Sequence, residues 1–341
     1  MSTFYTDVTR KSNKIFVRGY RDGRRFDKAV TYKPTLFVPS PKPTKYKSMK
    51  GKYLDEIEPG TLWECQQFIE KYKDVDGFSV YGTDRYDHQF IQDYFGGTLD
   101  WDRSLINVTS IDLECVADKG FPDIRQAQQP ITAITIKNNI DNIYYTWGMG
   151  EYKSDRSEVQ YVQCEDETQL LSEFLLHWTN NYPDVVTGWN TRFFDLPYLR
   201  NRICQVLGDD SSAAAYTRQA NLLSPWKEIR DREVTANRLP VIEIAGIQQL
   251  DYLDLFRKFA YTYGTQESYA LNNIAHVVLG EKKLDYSEFK DLNELYAKDH
   301  QKFIDYNIKD VELVDRLEDK LGLITLAMTI AYKAGVNYND T

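Results

Sequence analysis

The sequence predicts an α/β protein with a mixed sheet flanked by helices, preceded by a smaller α+β domain. The chain has 341 residues, enough for about two domains at a prior of ~150 residues each. From residue 104 onward, strand-like and helical periodicities alternate, which is typical of helices packed on a sheet. Hydrophobic residues make up 42% of the chain and aromatic residues 14%, which excludes a fully disordered protein.

The smaller domain is predicted to cover residues 1–103. Apolar and basic residues alternate through residues 1–40 as they do in short strands, and a proline-rich turn at 39–43 ends this part. Helical spacing follows over residues 62–72. The Gly96–Gly97 pair then breaks the pattern shortly before a border near Trp101.

The larger domain is predicted to cover residues 104–321 and to contain the sheet. Its predicted elements are strands at 104–116, 131–137, 142–147 and 184–189, helices at 165–182 and 196–207, and a protruding hairpin at 229–244. Residues 208–215 are predicted to form a flexible loop. The last part is helical: Ser268 is expected to cap a helix that stops at Gly280, and a long helix over 299–321 stops at Gly322.

Several classes of protein are excluded by simple features. No apolar run approaches the ~18 residues of a membrane span, and no apolar segment follows the charges near the N-terminus. The four cysteines stand far apart, without a CxxC pair or a histidine at zinc-ligand spacing, so we expect neither disulfides nor zinc. The sequence therefore predicts an intracellular protein without a membrane partner.

The charge is unevenly distributed along the chain. The whole protein has a formal charge of −9, whereas residues 1–50 hold 13 Lys or Arg against Asp7, Asp22 and Asp27. A strongly basic end on an acidic protein indicates an anionic partner such as a nucleic acid. A solvated strand face that binds nothing is an equally good interpretation of the charge alone.

Asp112 and Glu114 lie in an otherwise apolar strand. The period of two in a strand places both carboxylates on one face, with Ile111 and Leu113 on the other. Two adjacent acids repel each other unless a cation lies between them. The alternative is a solvated face of an edge strand.

Asp195 follows a buried strand at the start of a helix, and Asn190 stands at the end of that strand. An aspartate there can cap the helix by accepting backbone N–H groups, which is a competing structural explanation. Tyr306 and Asp310, four residues apart on the long helix, share a face. Asp310 falls inside the apolar arc of that helix, where an unpaired charge is very costly.

The partner predicted for these acids is a hard divalent cation held by oxygen ligands, either Mg²⁺ or Mn²⁺. A salt bridge to Lys or Arg is the alternative. Two such ions roughly 3.5–4 Å apart can activate water and stabilise the leaving oxygen in phosphodiester hydrolysis. The sequence contains no G-x-x-x-x-G-K-[ST], no complete dinucleotide loop and no G-x-S-x-G, which argues against the competing chemistries.

Three ordered motifs resemble the exonuclease motifs of family B DNA polymerases: Asp112-x-Glu114, Asn190-x-x-x-Phe194-Asp195 and Tyr306-x-x-x-Asp310. Segments 33–37, 120–122, 187–190 and 306–308 are similar to the replicative polymerases of T-even-type bacteriophages. The resemblance spans essentially the whole chain. It implies an RNase H-like 3′→5′ exonuclease domain at 104–321 and a polymerase N-terminal domain at 1–103, completed by a returning helix within 322–341.

The resemblance also implies roles for single residues. Asp112, Glu114 and Asp310 would hold one catalytic metal, and Asp112 and Asp195 the second. Tyr306 would orient the attacking water.

Further roles concern the substrate. Either Lys282 or Lys283 would lie near the scissile phosphate, and Phe121 would stack on the unpaired 3′ end. Asn190 and Phe194 would contact the substrate, and the 229–244 hairpin would help to part primer from template.

The chain departs from the family in lacking the palm motifs D-x-x-S-L-Y-P-S and D-T-D-S. It is therefore expected to proofread single-stranded DNA 3′ ends without extending primers. It is either a piece of a longer polymerase or one half of a naturally split one, and the methionine at position 1 favours the split. A second polypeptide would then supply the palm and any link to a sliding clamp, in the cytoplasm of the infected host.

Two other functions remain open at this stage. The chain could mainly bind nucleic acid or a polymerase partner through its basic end and have weak nuclease activity alone. It could also be a free-standing exonuclease that acts on RNA, in which case its site would admit 2′-hydroxyl groups.

Overall fold

The computed structural model describes residues 2–97, 99–115, 120, 122–234 and 239–341, with the side chains of residues 234 and 239 left out. The chain divides into two compact units, Met1–Trp101 with Ile330–Thr341, and Asp102–Thr329. The predicted borders were 103/104 and 321/322. The later boundary between the two compact units falls within the helix Leu323–Ala334.

The first unit contains two small antiparallel sheets and two helices. The strands of the first sheet pair in the order β1 (Thr3–Lys11), β2 (Lys14–Arg21) and β3 (Arg24–Val30). Those of the second follow the order β4 (Leu36–Pro39), β6 (Tyr53–Ile57) and β5 (Tyr46–Lys47), and the helices are α1 (Leu62–Tyr72) and α2 (Tyr86–Phe95).

The C-terminal residues are bound into this first unit. The hydroxyl of Tyr5 donates to the carbonyl of Val336 at 2.5 Å, and the hydroxyl of Tyr332 donates to the carbonyl of Tyr5 at 2.7 Å. Asn337 bonds with its side-chain amide to both backbone groups of Val8. The chain therefore returns to strand β1 after passing through the whole second unit.

The second unit is built on a six-stranded mixed sheet. Its strands are β7 (Val108–Cys115), β8 (Ile131–Asn138), β9 (Tyr144–Gly148), β10 (Val159–Gln163), β11 (Val185–Thr187) and β14 (Gln248–Gln249). They lie in the order β10-β9-β8-β7-β11-β14. The β7–β8 and β8–β9 pairs are antiparallel, and the other pairs are parallel. A hairpin of β12 (Ile229–Val234) and β13 (Leu239–Ile244) stands apart from this sheet.

Helices cover both faces of the sheet, as predicted for the α/β class. In chain order they are α3 (Glu167–Asn180), α4 (Asp195–Leu207), α5 (Ala213–Thr217), α6 (Tyr252–Phe259), α7 (Leu271–Leu279), α8 (Leu292–Lys298), α9 (His300–Leu321) and α10 (Leu323–Ala334). On one face α3 and α4 pack against residues such as Ile134 and Trp147. On the other face Phe303 and Ile304 of α9 pack against Ala133 and Tyr144. None of the described helices has the length and apolar character needed to cross a membrane.

Two local predictions were wrong. Ser268 does not cap α7, because Ala270 holds the N-cap position and the hydroxyl of Ser268 accepts the N–H of Ala270 at 3.2 Å. The carbonyl of Tyr269 accepts the indole N–H of Trp189 at 3.1 Å, and Ala270 is extended where the predicted helix would already have begun. The predicted loop at 208–215 contains the start of α5, since Ser212 caps that helix by accepting the N–H of Ala215.

Candidate active site

A cluster of three carboxylates lies between strand β7 and helix α9. Asp112 and Glu114 alternate along β7 with Ile111 and Leu113, whose side chains are buried in the core on the opposite face. Asp310 reaches the same place from α9. One carboxylate oxygen from each acid lies within 4.8 Å of the other two. The two motifs, which lie nearly 200 residues apart in the sequence, therefore form one site.

Helix α9 is held against this face of the sheet by apolar residues. Phe303, Ile304, Ile308 and Val311 are all buried against strand residues. Packing this arc on the sheet carries Asp310 inward, and its side chain is only 4% exposed. An ionised carboxylate at such a position needs a partner, as the sequence pattern predicted.

Asp195 approaches the cluster from the neighbouring strand β11. Gly188 makes this approach possible, because a Cβ at its φ of 157° would lie 2.4 Å from the carbonyl oxygen of Ile111. Asp195 is buried, and its Oδ1 accepts the N–H of Leu113, between the two acids of β7, at 3.2 Å. It is the first residue of α4, whose N-cap position belongs to Phe194, so the alternative of a helix-capping aspartate is wrong.

Asn190 and Phe194 form the turn that leads to Asp195. Asn190 adopts a φ of 68°, in the left-handed region that asparagine tolerates better than most residues. Its carbonyl accepts the N–H groups of Phe193 and Phe194. The ring of Phe194 stacks on Tyr198 with a centroid distance of 5.4 Å. Both predicted substrate residues therefore lie next to Asp195 in the chain.

Lys283, and not Lys282, is the lysine that reaches the carboxylates. Its Nζ donates to the hydroxyl of Tyr306 at 3.1 Å and to Oδ2 of Asp310. Lys282 is exposed. Both lysines line a cavity of about 640 Å³ together with Tyr286 and Tyr306. The cavity therefore reaches the cluster through Lys283 and Tyr306, which line it.

The electrostatics of the cluster are those of crowded acids. Burial and the neighbouring carboxylates raise the pKa of Asp112 well above its ordinary value. Burial, and then the charge of Asp310, raise the pKa of Glu114 to about 8, and burial raises the pKa of Asp195 to about 7. Burial alone would lower the pKa of Lys283, but Asp310 reverses that effect and keeps the ammonium charged.

The donor set fits a metal ion. The three carboxylates lie within 4.8 Å of one another, and the ammonium of Lys283 bonds to one of them, Asp310, so ionising all three in this buried place requires further positive charge. Lys283 binds Oδ2 of Asp310, whereas Oδ1 of Asp310 is buried without a hydrogen-bond partner among the described residues. Carboxylate oxygens are the ligands that hard divalent cations prefer. The acids of this cluster could therefore hold a metal.

Comparison with known proteins decides the family. The model for the DNA polymerase family B exonuclease domain matches residues 56–274. This chain belongs to DNA polymerase family B. The mixed sheet flanked by helices is consistent with the RNase H-like type predicted for its exonuclease domain.

The chain is similar to part of two phage polymerases. It is 30% identical to the DNA-directed DNA polymerase of Escherichia phage RB69 over 98% of its length, and 28% identical to that of Enterobacteria phage T4 over 99%. It is also 30% identical to the DNA polymerase delta catalytic subunit of Candida albicans over 69% of its length. It spans only 39% of the length of either phage relative. The predicted resemblance is confirmed.

Two residues near the acids of this family B site were not predicted. Asp251 is buried, and its carboxylate accepts the N–H groups of Asn190 and Arg192 at 3.3 and 2.9 Å. Asn307 is buried, and its Nδ2 donates to Oδ2 of Asp112 at 2.7 Å. For Asn307 the sequence held a signal, since the helical spacing that buries Asp310 buries Asn307 too.

One predicted contact lies outside the described residues. Phe121, predicted to stack on the 3′ end, is not described by the structure. The tip of the 229–244 hairpin, residues 235–238, is not described either, although its two strands are paired in register from Ile229 with Ile244 onward.

Proposed function

We propose that this chain is the 3′→5′ proofreading exonuclease part of a phage-type DNA polymerase and removes nucleotides from single-stranded DNA 3′ ends. The observation that carries the proposal is the convergence of Asp112, Glu114 and Asp310, with Asp195 bonded to the strand between the first two. This is an all-oxygen set beside a tyrosine and a lysine. It suits phosphodiester hydrolysis and lacks any side-chain nucleophile within the cluster.

We assign the metal ligands as follows. Asp112, Glu114 and Asp310 hold one divalent cation, and Asp112 with Asp195 holds a second, either Mg²⁺ or Mn²⁺. Bound cations of this kind lower the pKa of water and neutralise charge on the phosphate. The raised pKa values of Asp112 and Glu114 without metal support this assignment, because burial and the neighbouring carboxylates disfavour the ionised forms that a cation would stabilise.

The chain's own residues then position the reactants. Tyr306 accepts a hydrogen bond from Lys283, which leaves its own hydroxyl proton free to bind the attacking water. Lys283 provides a fixed positive charge beside the phosphate. Water attacks phosphorus, the bond from phosphorus to the 3′-oxygen breaks, and the proton lost by water ends on that oxygen. The products are a nucleoside 5′-monophosphate and a strand with a new 3′-hydroxyl.

The polymerase part is proposed to lie elsewhere. The chain spans 39% of its phage relatives and lacks the palm motifs, so primer extension is assigned to the rest of the polymerase. That part is either a continuation of this chain or a second polypeptide, through which a sliding clamp would bind. Residues 1–103 with 322–341 would form the polymerase N-terminal domain, and 104–321 the exonuclease domain.

The direction of digestion tests this proposal. Single-stranded DNA labelled at its 5′ end should shorten progressively in Mg²⁺, whereas a 3′ label should be released at once as a mononucleotide. The matched control is the Asp112→Asn, Glu114→Gln double variant, which keeps the shapes of the side chains and should be inactive. Immediate release of the 5′ label as a mononucleotide, or equal digestion by the double variant, would contradict the proposal.

The sugar preference is tested with the same assay. We assign DNA as the substrate from the family, and matched deoxy- and ribo-oligonucleotides should differ in their rates of digestion. Equal rates would instead indicate a site that admits 2′-hydroxyl groups, as expected of an exonuclease that also acts on RNA.

A second function is favoured by the basic surface of the first unit. Arg21, Arg24, Arg25 and Lys28 surround Phe26 in a depression of about 500 Å³ at the β2–β3 hairpin. All four cations are exposed, and β3 is an edge strand of its sheet. We infer that this surface binds the phosphates of a nucleic-acid strand.

Charge reversal tests this binding. The Arg21→Glu, Arg24→Glu, Arg25→Glu variant should bind single-stranded nucleic acid more weakly in a gel shift, with a smaller salt dependence. Lys71→Glu with Lys73→Glu, on the exposed face of α1, is the control. If the two variants bind alike, the surface has no role in nucleic-acid binding.

A further inference from the structure

A row of polar side chains crosses the sheet directly beneath α9. Asp112 of β7 is paired in register with Thr135 of β8, and Thr135 is paired with Thr146 of β9. Residues paired in register point to the same face of a sheet. The three side chains therefore lie side by side on the face that α9 covers.

Asn307 of α9 joins this row to the acid at its end. Thr135 and Thr146 share a hydrogen bond of 2.9 Å between their hydroxyls, and Thr135 also bonds to Oδ1 of Asn307. The Nδ2 of Asn307 donates to Oδ2 of Asp112 at 2.7 Å. Asn307 and both threonines are fully buried. The result is one chain of hydrogen bonds from β9 to a proposed metal ligand.

The Asp112 carboxylate determines which group donates the proton in each hydrogen bond of this row. An ionised carboxylate only accepts, so the Asn307 amide must present its NH₂ group to Asp112 and its oxygen to Thr135. Thr135 then gives its single proton to that oxygen, and the proton between the two threonines comes from Thr146. Each member fixes the orientation of the next.

Packing alone does not explain these side chains. The neighbouring positions on the same face, Ala133 and Tyr144, pack with Ile304 and Ile308 in an apolar cluster. A buried polar group left without a hydrogen bond costs about 1–3 kcal/mol. Apolar residues at these positions would pack against α9 without that possible cost. The buried polar side chains are therefore explained by the residue at the end of the row, Asp112, to which Asn307 bonds.

We propose that Asn307 is a positioning residue, fixed through Thr135 and Thr146, that orients the Asp112 carboxylate for binding a divalent cation. The inference rests on the proposed metal site. Residues that hydrogen-bond to metal ligands fix their orientation, and their loss typically weakens metal binding about 10–100-fold. Asn307, Thr135 and Thr146 are fully buried, so their effect passes through Asp112.

The test compares two substitutions at Thr135. Thr135→Val keeps the shape of the side chain but removes its hydroxyl, whereas Thr135→Ser keeps the hydroxyl and removes a methyl group. Mn²⁺ affinity of the full chain, measured by isothermal titration calorimetry without DNA, should fall about 10-fold or more for Val. It should stay near that of the unchanged protein for Ser. A packing role predicts the opposite, since Val preserves packing better.

Asn307→Leu is the direct variant and should weaken Mn²⁺ binding about 10–100-fold. Thr109→Val is the control. It removes a buried hydroxyl from β7, the strand of Asp112, but this hydroxyl bonds to Asn107, so Mn²⁺ affinity should stay unchanged. If Asn307→Leu does not fold, as judged by circular dichroism, the Thr135 pair decides alone.

The proposal is overturned if Thr135→Val binds Mn²⁺ as the unchanged protein does, or if Ser weakens binding more than Val. These outcomes are separable from failure of the nuclease. A protein that binds Mn²⁺ but digests no DNA refutes the proposed activity and leaves the affinity comparison decisive. A protein that binds no Mn²⁺ refutes the metal site and this inference together.

Discussion

Asp112, Glu114 and Asp310 are placed where the metal-free protein gains little from their charge. Each is enclosed near like charges, and each has a raised pKa because burial disfavours the ionised form. Folding gathers these acids at a cost in free energy that a bound cation would offset. Measurements of stability with and without a metal ion can therefore test the proposed role of these acids.

Replacing Glu114 by Gln should stabilise the metal-free protein. The pKa of Glu114 is about 8 in the folded chain against an ordinary value of 4.5, so the folded state is increasingly penalised as pH rises between these values. In EDTA, Glu114→Gln should melt higher than the unchanged protein at about pH 8.5, and the difference should shrink towards about pH 5. A variant that melts lower at the alkaline end would contradict the origin assigned to the shift.

Lys283 and Lys282 provide a matched pair of substitutions. Lys283→Met removes the ammonium that binds Asp310 and Tyr306, and we expect digestion to slow by up to about 100-fold because the reacting groups lose their positioning. Lys282→Met, at the exposed neighbour, should retain most of the activity. Equal losses from the two variants, measured as kcat/KM on single-stranded DNA, would dismiss a special role for Lys283.

The candidate acids could be predicted from the sequence because charge in an apolar pattern is conspicuous. Asp310 interrupts a helical arc, and Asp112 interrupts a strand. Asn307 interrupts the same arc but is neutral, and its role depends on Thr135, which is remote in sequence and reaches it only through the folded sheet. The choice between Lys282 and Lys283 likewise required the backbone of that loop.

At the scale of elements, the turn between β11 and α4 determines where Asp195 lies. Asp251 caps α6 by accepting the N–H groups of Leu253 and Asp254, and the same carboxylate accepts two N–H groups of the 190–192 turn. One buried acid therefore ties the start of α6 to the turn that carries Asn190. The hydrogen bonds from the 190–192 turn to Asp251 help to hold Asn190 in its left-handed conformation.

Substitutions at Asn190 test how much stability depends on the left-handed backbone conformation of this residue. Asn190→Gly should leave stability nearly unchanged, since glycine adopts a φ of 68° without strain. Asn190→Val should lower the free energy of unfolding by about 1–2 kcal/mol, the cost of the left-handed conformation for a residue with a bulky Cβ. Urea unfolding measures both. Equal stability of the two variants would show that the turn does not depend on this conformation.

Elements with a strong period were predictable, and short ones were not. The alternation in β7 and the arc of α9 were predicted because long stretches share one environment. Strand β10 and helices α2, α6 and α8 were missed, since segments of five to ten residues carry little pattern. Ser268 was assigned as a cap from its type alone, whereas a contact with Trp189 moved the helix start.

At the scale of the whole molecule, the proposed metal site lies in the second unit and the basic surface in the first. The boundary between the units falls within α10, between Thr329 and Ile330. The chain matches phage polymerases over nearly its whole length while spanning 39% of theirs.

Mg²⁺ should stabilise the whole protein through the cluster. A ligand that binds only the folded state adds about 2.7 kcal/mol at 100 times its Kd, so the melting temperature should rise as Mg²⁺ is titrated into EDTA-treated protein. The Asp112→Asn, Glu114→Gln variant should show little rise. A rise of the same size in that variant would place the binding elsewhere.

The central claim is that Asp112, Glu114 and Asp310 hold a divalent cation. Its most direct test is a crystal of this chain soaked in Mn²⁺ and recorded near the manganese absorption edge. The account predicts an anomalous difference peak in contact with all three carboxylates, with a second peak near Asp195 when a 3′-ended oligonucleotide is bound. Saturating Mn²⁺ without any peak at Asp112 would contradict it.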